Sequence, residues 1–290
     1  MGAYCFSTFL EEEDQCKIGE LTVNKDRFVR EVIGQAKVGK MNSEGFFVSP
    51  GHVMIDFNSP VWCSSSIQDT CEHYIQRGCT LLLLQHPVSS IRRFRADYAA
   101  FLEQLPKLPV DFMIVPVIPS AFVKPDMVRF FAKEGCPFIQ IELDSAEDVQ
   151  DVPWGWLTQA QSYKRIPLTV TLRSEENSTY LLNYLWPEIC KQYGIIKLSD
   201  IQEAELLTKQ NLRDTGIYPN KGGFRPGGYA DYNLYWQPEN KIFDGEDPFI
   251  YHNAIPDVTI MRGKVIQVQQ QVEPTASGEY QRITVYQHFV

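Results

Sequence analysis

Any metal-binding or acid–base site in this chain has to be drawn from five histidines, seven cysteines and the carboxylates. The histidines stand at positions 52, 73, 86, 252 and 288, and no two neighbours have the spacing of a metal-ligand pair. The cysteines, at 5, 16, 63, 71, 79, 136 and 190, are odd in number and contain no C-x-x-C pair. Scattered thiols of this kind read as reduced and mostly buried, neither a disulfide frame nor a zinc knuckle. His86, in Gln85-His86-Pro87, closes an apolar run and is the histidine best placed for proton transfer. Its plainer role is a hydrogen-bonded loop residue. Cys63, in Trp62-Cys63-Ser64, invites a Cys-His pair with His86, but nothing in the string marks an activated thiolate. Asp56, Asn58, Gln85, His86, Gln140, Glu142 and Arg173 all fall at the ends of apolar runs. Together they could line one rim and hold a small polar ligand, with the planar guanidinium of Arg173 fixing a carboxylate or phosphate. The plainer alternative is that they satisfy one another and cap a pocket that does no chemistry.

These residues need elements to carry them. Apolar runs at 52–57, 80–85, 111–118, 137–143 and 167–172 are rich in Val, Ile, Leu and Phe and look buried on both faces, as in a parallel sheet. Amphipathic stretches at 67–76, 91–105 and 127–133 lie between the first four runs, with Gly78 and Gly135 as helix stops. Strand–helix alternation at this spacing gives right-handed βαβ units. Helical pattern continues through 180–192 and 200–215. Alternating strand patterns flank this core: 21–23 and 28–33 before it, then 232–236, 258–261, 265–268 and 282–286 after it. The acidic run Glu11-Glu12-Glu13-Asp14 reads as a solvated loop, and there is no tandem repeat.

Composition excludes several classes. The 290 residues are 44% hydrophobic and 22% charged, which is ordinary for a globular protein. A formal charge of −9 argues against a nucleic-acid backbone or an anionic membrane as partner, so the basic aromatic turn Arg92-Arg93-Phe94-Arg95 with Tyr98 reads as a solvated helix face. No apolar stretch approaches the length of a spanning helix. The opening Met1-Gly2-Ala3-Tyr4-Cys5 lacks a signal-peptide layout, and Phe6 stands where a myristoylation site takes Ser or Thr. A cytoplasmic protein is expected. The turn Lys221-Gly222-Gly223 lacks a full phosphate-loop pattern.

Three strings, in order, resemble the amidohydrolase superfamily, especially its cyclic-amidohydrolase and deacetylase branches. Residues Glu44-Gly45-Phe46-Phe47-Val48-Ser49-Pro50-Gly51-His52-Val53-Met54-Ile55-Asp56 are similar to that family's entry into barrel strand one. Residues 198–231, with Gly216-Ile217-Tyr218-Pro219-Asn220-Lys221-Gly222-Gly223-Phe224, are similar to its passage from the last barrel helix into a small β-sandwich. Asp257-Val258-Thr259-Ile260-Met261-Arg262-Gly263-Lys264-Val265-Ile266 resembles its penultimate hairpin. The resemblance covers roughly residues 17–270. It implies an α/β fold: a (β/α) TIM-like barrel at 51–215, with a composite β-sandwich built from residues 1–50 and 216–290.

The same resemblance implies a metal site whose ligands this sequence lacks. The family's His-x-His pair after strand one is here Asn58 and Pro60, and proline has no side-chain donor. Gln140 takes the place of the bridging lysine on strand four, unless Glu142 does so two residues on, and strand five has no histidine. From Gly51 to Tyr193 there are 143 residues (193 − 51 + 1), against at least about 200 for a full barrel, so a truncated, degenerate barrel is expected. Its open edge after strand five needs a cover: the helix at 180–192, with Tyr180, Leu181, Tyr184 and Leu185, or a second copy in a homodimer. The expected function is that of an amidohydrolase-like protein without metal or cofactor, binding a small polar ligand or a partner at the old rim. The alternatives are a hydrolase of carbon–nitrogen bonds other than peptides with an atypical site, and a structural subunit of a complex.

Overall fold

The computed structural model describes residues 2–12, 15–31, 37–57, 60–173, 179–198, 206–236 and 254–286, with the side chains of 9–18 and 179 outside that description. The chain opens with a long antiparallel hairpin, β1 (Tyr4–Glu12) and β2 (Gln15–Asn24). The short strands β3 (Arg27–Val29) and β4 (Gly39–Lys40) complete a sheet of order β3-β2-β1-β4. Glu11 and Glu12 therefore belong to a strand, paired with Cys16 and Gln15, rather than to a loop; the hairpin's ladder overrides their weak strand propensity. Glu13 and Asp14 lie outside the described residues, as do 32 and 33 of the expected strand 28–33.

β5 (Phe46–Pro50) enters a different sheet, and Gly51 passes the chain directly into β6 (His52–Ile55). A Cβ at Gly51 would overlap Thr80 Oγ1, so only glycine lets the two sheets meet this closely. β6 begins the βα core: α1 (Ile67–Gln76), β7 (Cys79–Pro87), α2 (Phe94–Gln104), β8 (Asp111–Pro119), α3 (Pro125–Glu134), β9 (Ile139–Leu143), α4 (Trp154–Gln161), β10 (Leu168–Leu172) and α5 (Thr179–Tyr193). The five strands are parallel and ordered β10-β9-β8-β7-β6, the sequential order of a half-barrel. All five expected apolar runs are strands here. α3 starts with Pro125 in its first turn and stops at Gly135, whose φ of +77° is the left-handed conformation a helix end needs. α4 has no counterpart in the sequence reading, because eight residues containing Gly155 carry little periodicity.

One large core joins strands and helices. The apolar stripe of α3 (Met127, Val128, Phe131, Ala132) is buried against it, as are Leu182, Trp186, Ile189 and Cys190 of α5. This corrects the expected inner face of α5. Tyr180 and Tyr184 are 87% and 67% exposed, because the stripe through Trp186 buries more apolar surface and sets the helix rotation. The cover over the β10 edge follows the helix: Leu168 N–H donates to Ile196 O, and Leu198 N–H to Leu168 O. At the opposite edge Leu206 bridges Met54, and Leu207 N–H donates to Val53 O. The expected helix over 200–215 is thus shorter. α6 (Lys209–Thr215) begins at a capping box of Thr208 and Asn211, and residues 199–205 lie outside the described set.

After α6 the chain returns to the β5 sheet through β11 (Tyr232–Trp236), β12 (Val258–Met261), β13 (Lys264–Val268) and β14 (Gln271–Val272), in the order β14-β13-β12-β11-β5. β12 and β13 turn on Arg262 and Gly263, both at positive φ, the signature of a two-residue type I′ hairpin. A second buried cluster links the two antiparallel sheets: Phe6, Val23 and Phe28 from one, Val48, Tyr232 and Ile260 from the other. The expected strand 282–286 is instead an irregular strap. Ile283 N–H donates to Gly135 O and Tyr286 Oη to Cys136 O, so its apolar residues are spent on the βα core rather than on a sheet.

Candidate site at the carboxyl ends of the parallel strands

Strands in βα architectures present ligand-binding residues at their carboxyl ends. Asp56 follows β6 and is fully buried. Its Oδ2 accepts the Val61 N–H at 2.8 Å, its Oδ1 accepts the Gln85 N–H at 2.8 Å, and its own carbonyl accepts Gln85 Nε2 at 2.8 Å. Burial pushes its pKa up to about 7, against the pull of these hydrogen bonds. Asp56 and Gln85 therefore tie the β6–α1 connection to β7.

His86 sits within β7 and not in a loop, and it is buried with its ring 4.6 Å from Phe101 and 5.6 Å from Tyr98 of α2. Alternation along the strand turns it to the opposite face from Gln85. Neither ring nitrogen has a hydrogen-bond partner among the described residues, which corrects the expected hydrogen-bonded histidine. Burial lowers its pKa to about 4, so the ring is neutral at pH 7. Cys63 is exposed, so it and His86 are not presented to a common site.

On the far side of β8, the register sets Gln140 beside Thr169 and Glu142 beside Thr171, all on one face. Gln140 is buried; its Nε2 donates to Thr171 Oγ1 at 3.1 Å and its Oε1 has no partner among the described residues. Glu142 accepts from Arg173 at 2.7 and 3.1 Å, and Arg173 Nη1 reaches Asp144 at 2.8 Å. The rim thus gathers two groups, Asp56 with Gln85 and Gln140 with Glu142 and Arg173, and leaves His86 behind the sheet. Asn58 lies outside the described residues. Arg173 is half-exposed with donors to spare, though paired with both Glu142 and Asp144, so this wall can hold a polar group.

Both Asp56 oxygens accept backbone N–H groups, Glu142 Oε2 accepts both Arg173 bonds, and His86 faces α2, so these side chains do not converge as a ligand set. Among the described residues, no group of three or more His, Cys, Asp or Glu side chains could hold a metal ion.

The sequence reading missed a buried charge cluster at the opposite end of the sheet. Lys221 is 2% exposed; its Nζ donates to Asp231 and to Thr80 O at 3.5 Å, and forms an ion pair with Asp111 at 2.9 Å. Arg262 adds its N–H to Asp231 Oδ1 at 2.7 Å and its guanidinium to Asp111 at 3.3 Å and to Glu279. Burial by itself would lower the Lys221 pKa, but the two aspartates outweigh it and raise it, so the ammonium stays charged. Asp111, an acid heading an otherwise apolar run, was the available signal. At the amino ends of the strands such a cluster holds the fold together.

No protein-family model and no curated protein matches the chain. Solved structures do. Dihydropyrimidinase from Brevibacillus agri NCHU1002 aligns over 98% of this chain and 99% of its own, with a TM-score of 0.57 at 9% identity. A D-hydantoinase aligns over 97% and 99%, with a TM-score of 0.57 at 10% identity. Atrazine chlorohydrolase from Arthrobacter aurescens TC1, complexed with zinc, gives 0.54 at 9% identity over 94% and 97%. These neighbours are amidohydrolase-superfamily proteins, and likeness at such identity speaks to the fold alone. The chain has an amidohydrolase-like fold whose parallel sheet is a half-barrel.

Proposed function

We propose that this chain is a truncated amidohydrolase relative that has given up metal-dependent hydrolysis and binds a small polar ligand or a partner at the carboxyl rim of its half-barrel. The observation that carries the proposal is the engagement of the rim's donors: Asp56 by two backbone N–H groups and Glu142 by Arg173. Five parallel strands among the described residues, where a complete barrel of this kind has eight, support the truncation. The cluster shared by the two antiparallel sheets supports a composite β-sandwich from both chain ends. A homodimer would pair copies along the β10 edge, which among the described residues is bridged at Leu168 by Lys197. The six described cysteines, all free, fit a cytoplasmic protein. Among the described residues no helix is long and apolar enough to cross a membrane.

Two measurements test the central claim. Protein purified without chelator is expected to carry no stoichiometric zinc, manganese, iron or nickel, and to turn over no cyclic amide, lactam or N-acetyl sugar. Stoichiometric metal with turnover would favour the second reading, a carbon–nitrogen hydrolase with an atypical site, which the hydrolase names of the structural neighbours keep in play.

A further inference from the structure

A cavity of about 200 Å³ lies at the amino end of the half-barrel, on the opposite side of the sheet's length from the rim. Its walls come from four distant parts of the chain: Arg27 of β3, Met113 of β8, the loop from Gly216 to Tyr229, and residues 281–284 of the strap. Three cations line it, Arg27, Lys221 and Arg282, and no carboxylate does among the described lining residues. That is unusual in a chain with net charge −9.

The three cations differ in what they can offer. The Nζ of Lys221 points to Asp231, Asp111 and the Thr80 carbonyl, so it is a wall charge already balanced from behind. Arg27 donates one bond to Gly227 O and lies 4.2 Å over the Tyr229 ring, an arrangement that fixes the guanidinium plane. Arg282 lies 5.0 Å over Tyr280 and touches Glu134 only at 3.6 Å. A guanidinium has five N–H donors, so both arginines keep donors for a ligand. Asn220 and Gln281 add neutral hydrogen-bonding groups to the lining. The cavity has the volume of roughly six or seven waters at about 30 Å³ each, room for one phosphate or a short carboxylic acid.

We infer that this cavity is a binding site for a small oxyanion, a phosphate or carboxylate group clasped by Arg27 and Arg282. Planar guanidinium forks match both groups. Because β3, the loop after α6 and the strap all contribute, an occupied site fastens the β-domain and the strap to the barrel. The site stands independently of the rim proposal.

Titration calorimetry at fixed ionic strength, with inorganic phosphate and separately with succinate, tests it. One anion is expected to bind saturably at one per chain, and the tighter of the two identifies the group the site prefers. Arg27→Gln with Arg282→Gln should weaken that binding about tenfold or more, as loss of two charge-assisted contacts requires. Both arginines are at least partly exposed, so the double variant is expected to fold, with unchanged circular dichroism. Arg129→Gln, at an exposed arginine outside both the cavity and the rim, should leave binding unchanged. No saturable binding of either anion, equal binding by the double variant, or loss of binding in Arg129→Gln would overturn the inference.

Discussion

At the scale of single residues, His86 is the most informative position, because its sequence context and its surroundings point to different roles. Gln85-His86-Pro87 looks like the end of a strand opening into an active-site loop, yet the ring is packed between Tyr98 and Phe101 with both nitrogens unpartnered among the described residues. A neutral buried imidazole whose pKa falls from 6.5 to about 4 makes folding acid-sensitive. Its contribution is complete above about pH 6.5 and is lost as pH falls through 4. The shift corresponds to at most about 3 kcal/mol. Asp56 acts in the opposite sense: with a folded pKa near 7, its contribution is full below about pH 4 and is lost as pH rises toward 7. The two overlap, so the test is a difference between proteins. His86→Phe keeps the aromatic contacts and removes the orphan nitrogens. Relative to the parent chain it should gain stability as pH drops from 7 to 4.5 in urea titrations. A difference that stays flat across that range would show that the histidine is not the acid-sensitive group.

At the scale of elements, the half-barrel is held by short pieces of chain that carry no strong pattern of their own. Residues 195–198 cover the start of the β10 edge, Leu206 and Leu207 the β6 edge, and the strap closes over α3. Each is tied by one or two backbone bonds, and tertiary context supplies the rest. The junction of α3 with the strap is a close one. A Cβ on Gly135 would meet Ile283 O at 2.8 Å, and the residue's φ is +77°. Gly135→Ala should therefore cost about 1–2 kcal/mol or more, from backbone strain and displaced strap together. It should also speed amide exchange of Ile283, whose N–H donates to Gly135 O. Unchanged protection over 280–286 would mean the strap docks independently of the helix end.

At the scale of the whole molecule, the Lys221 cluster couples the sheets. Asp111 heads a barrel strand, Asp231 precedes β11, and Arg262 turns the β12–β13 hairpin, so one buried ammonium joins the half-barrel to the β5 sheet. Removing one partner from a buried ion group strands the others. Lys221→Met should cost about 3–5 kcal/mol at neutral pH. Burial already raises the Asp111 pKa and Lys221 holds it down, so without the lysine Asp111 moves further toward the protonated form and the deficit should shrink toward pH 4. A deficit independent of pH would assign the loss to packing rather than to charge.

The sequence by itself determined the βα core: five apolar runs became five parallel strands, and the 67–76 stretch became α1 residue for residue. That much is local, because side-chain periodicity and glycine stops act within one turn or one strand. The rim candidates were also legible as strand ends, and among them Glu142 and Arg173 pair in the structure. Only the tertiary structure decided the rest. It turned His86 away from the rim, rotated α5 onto Leu182 and Trp186, and sent 282–286 across the barrel instead of into a sheet. It also drew positions 111, 221, 231 and 262 into one buried charge cluster. Such outcomes depend on which of several apolar faces wins the shared core and on charges meeting across more than a hundred residues of chain. No local pattern encodes either of these.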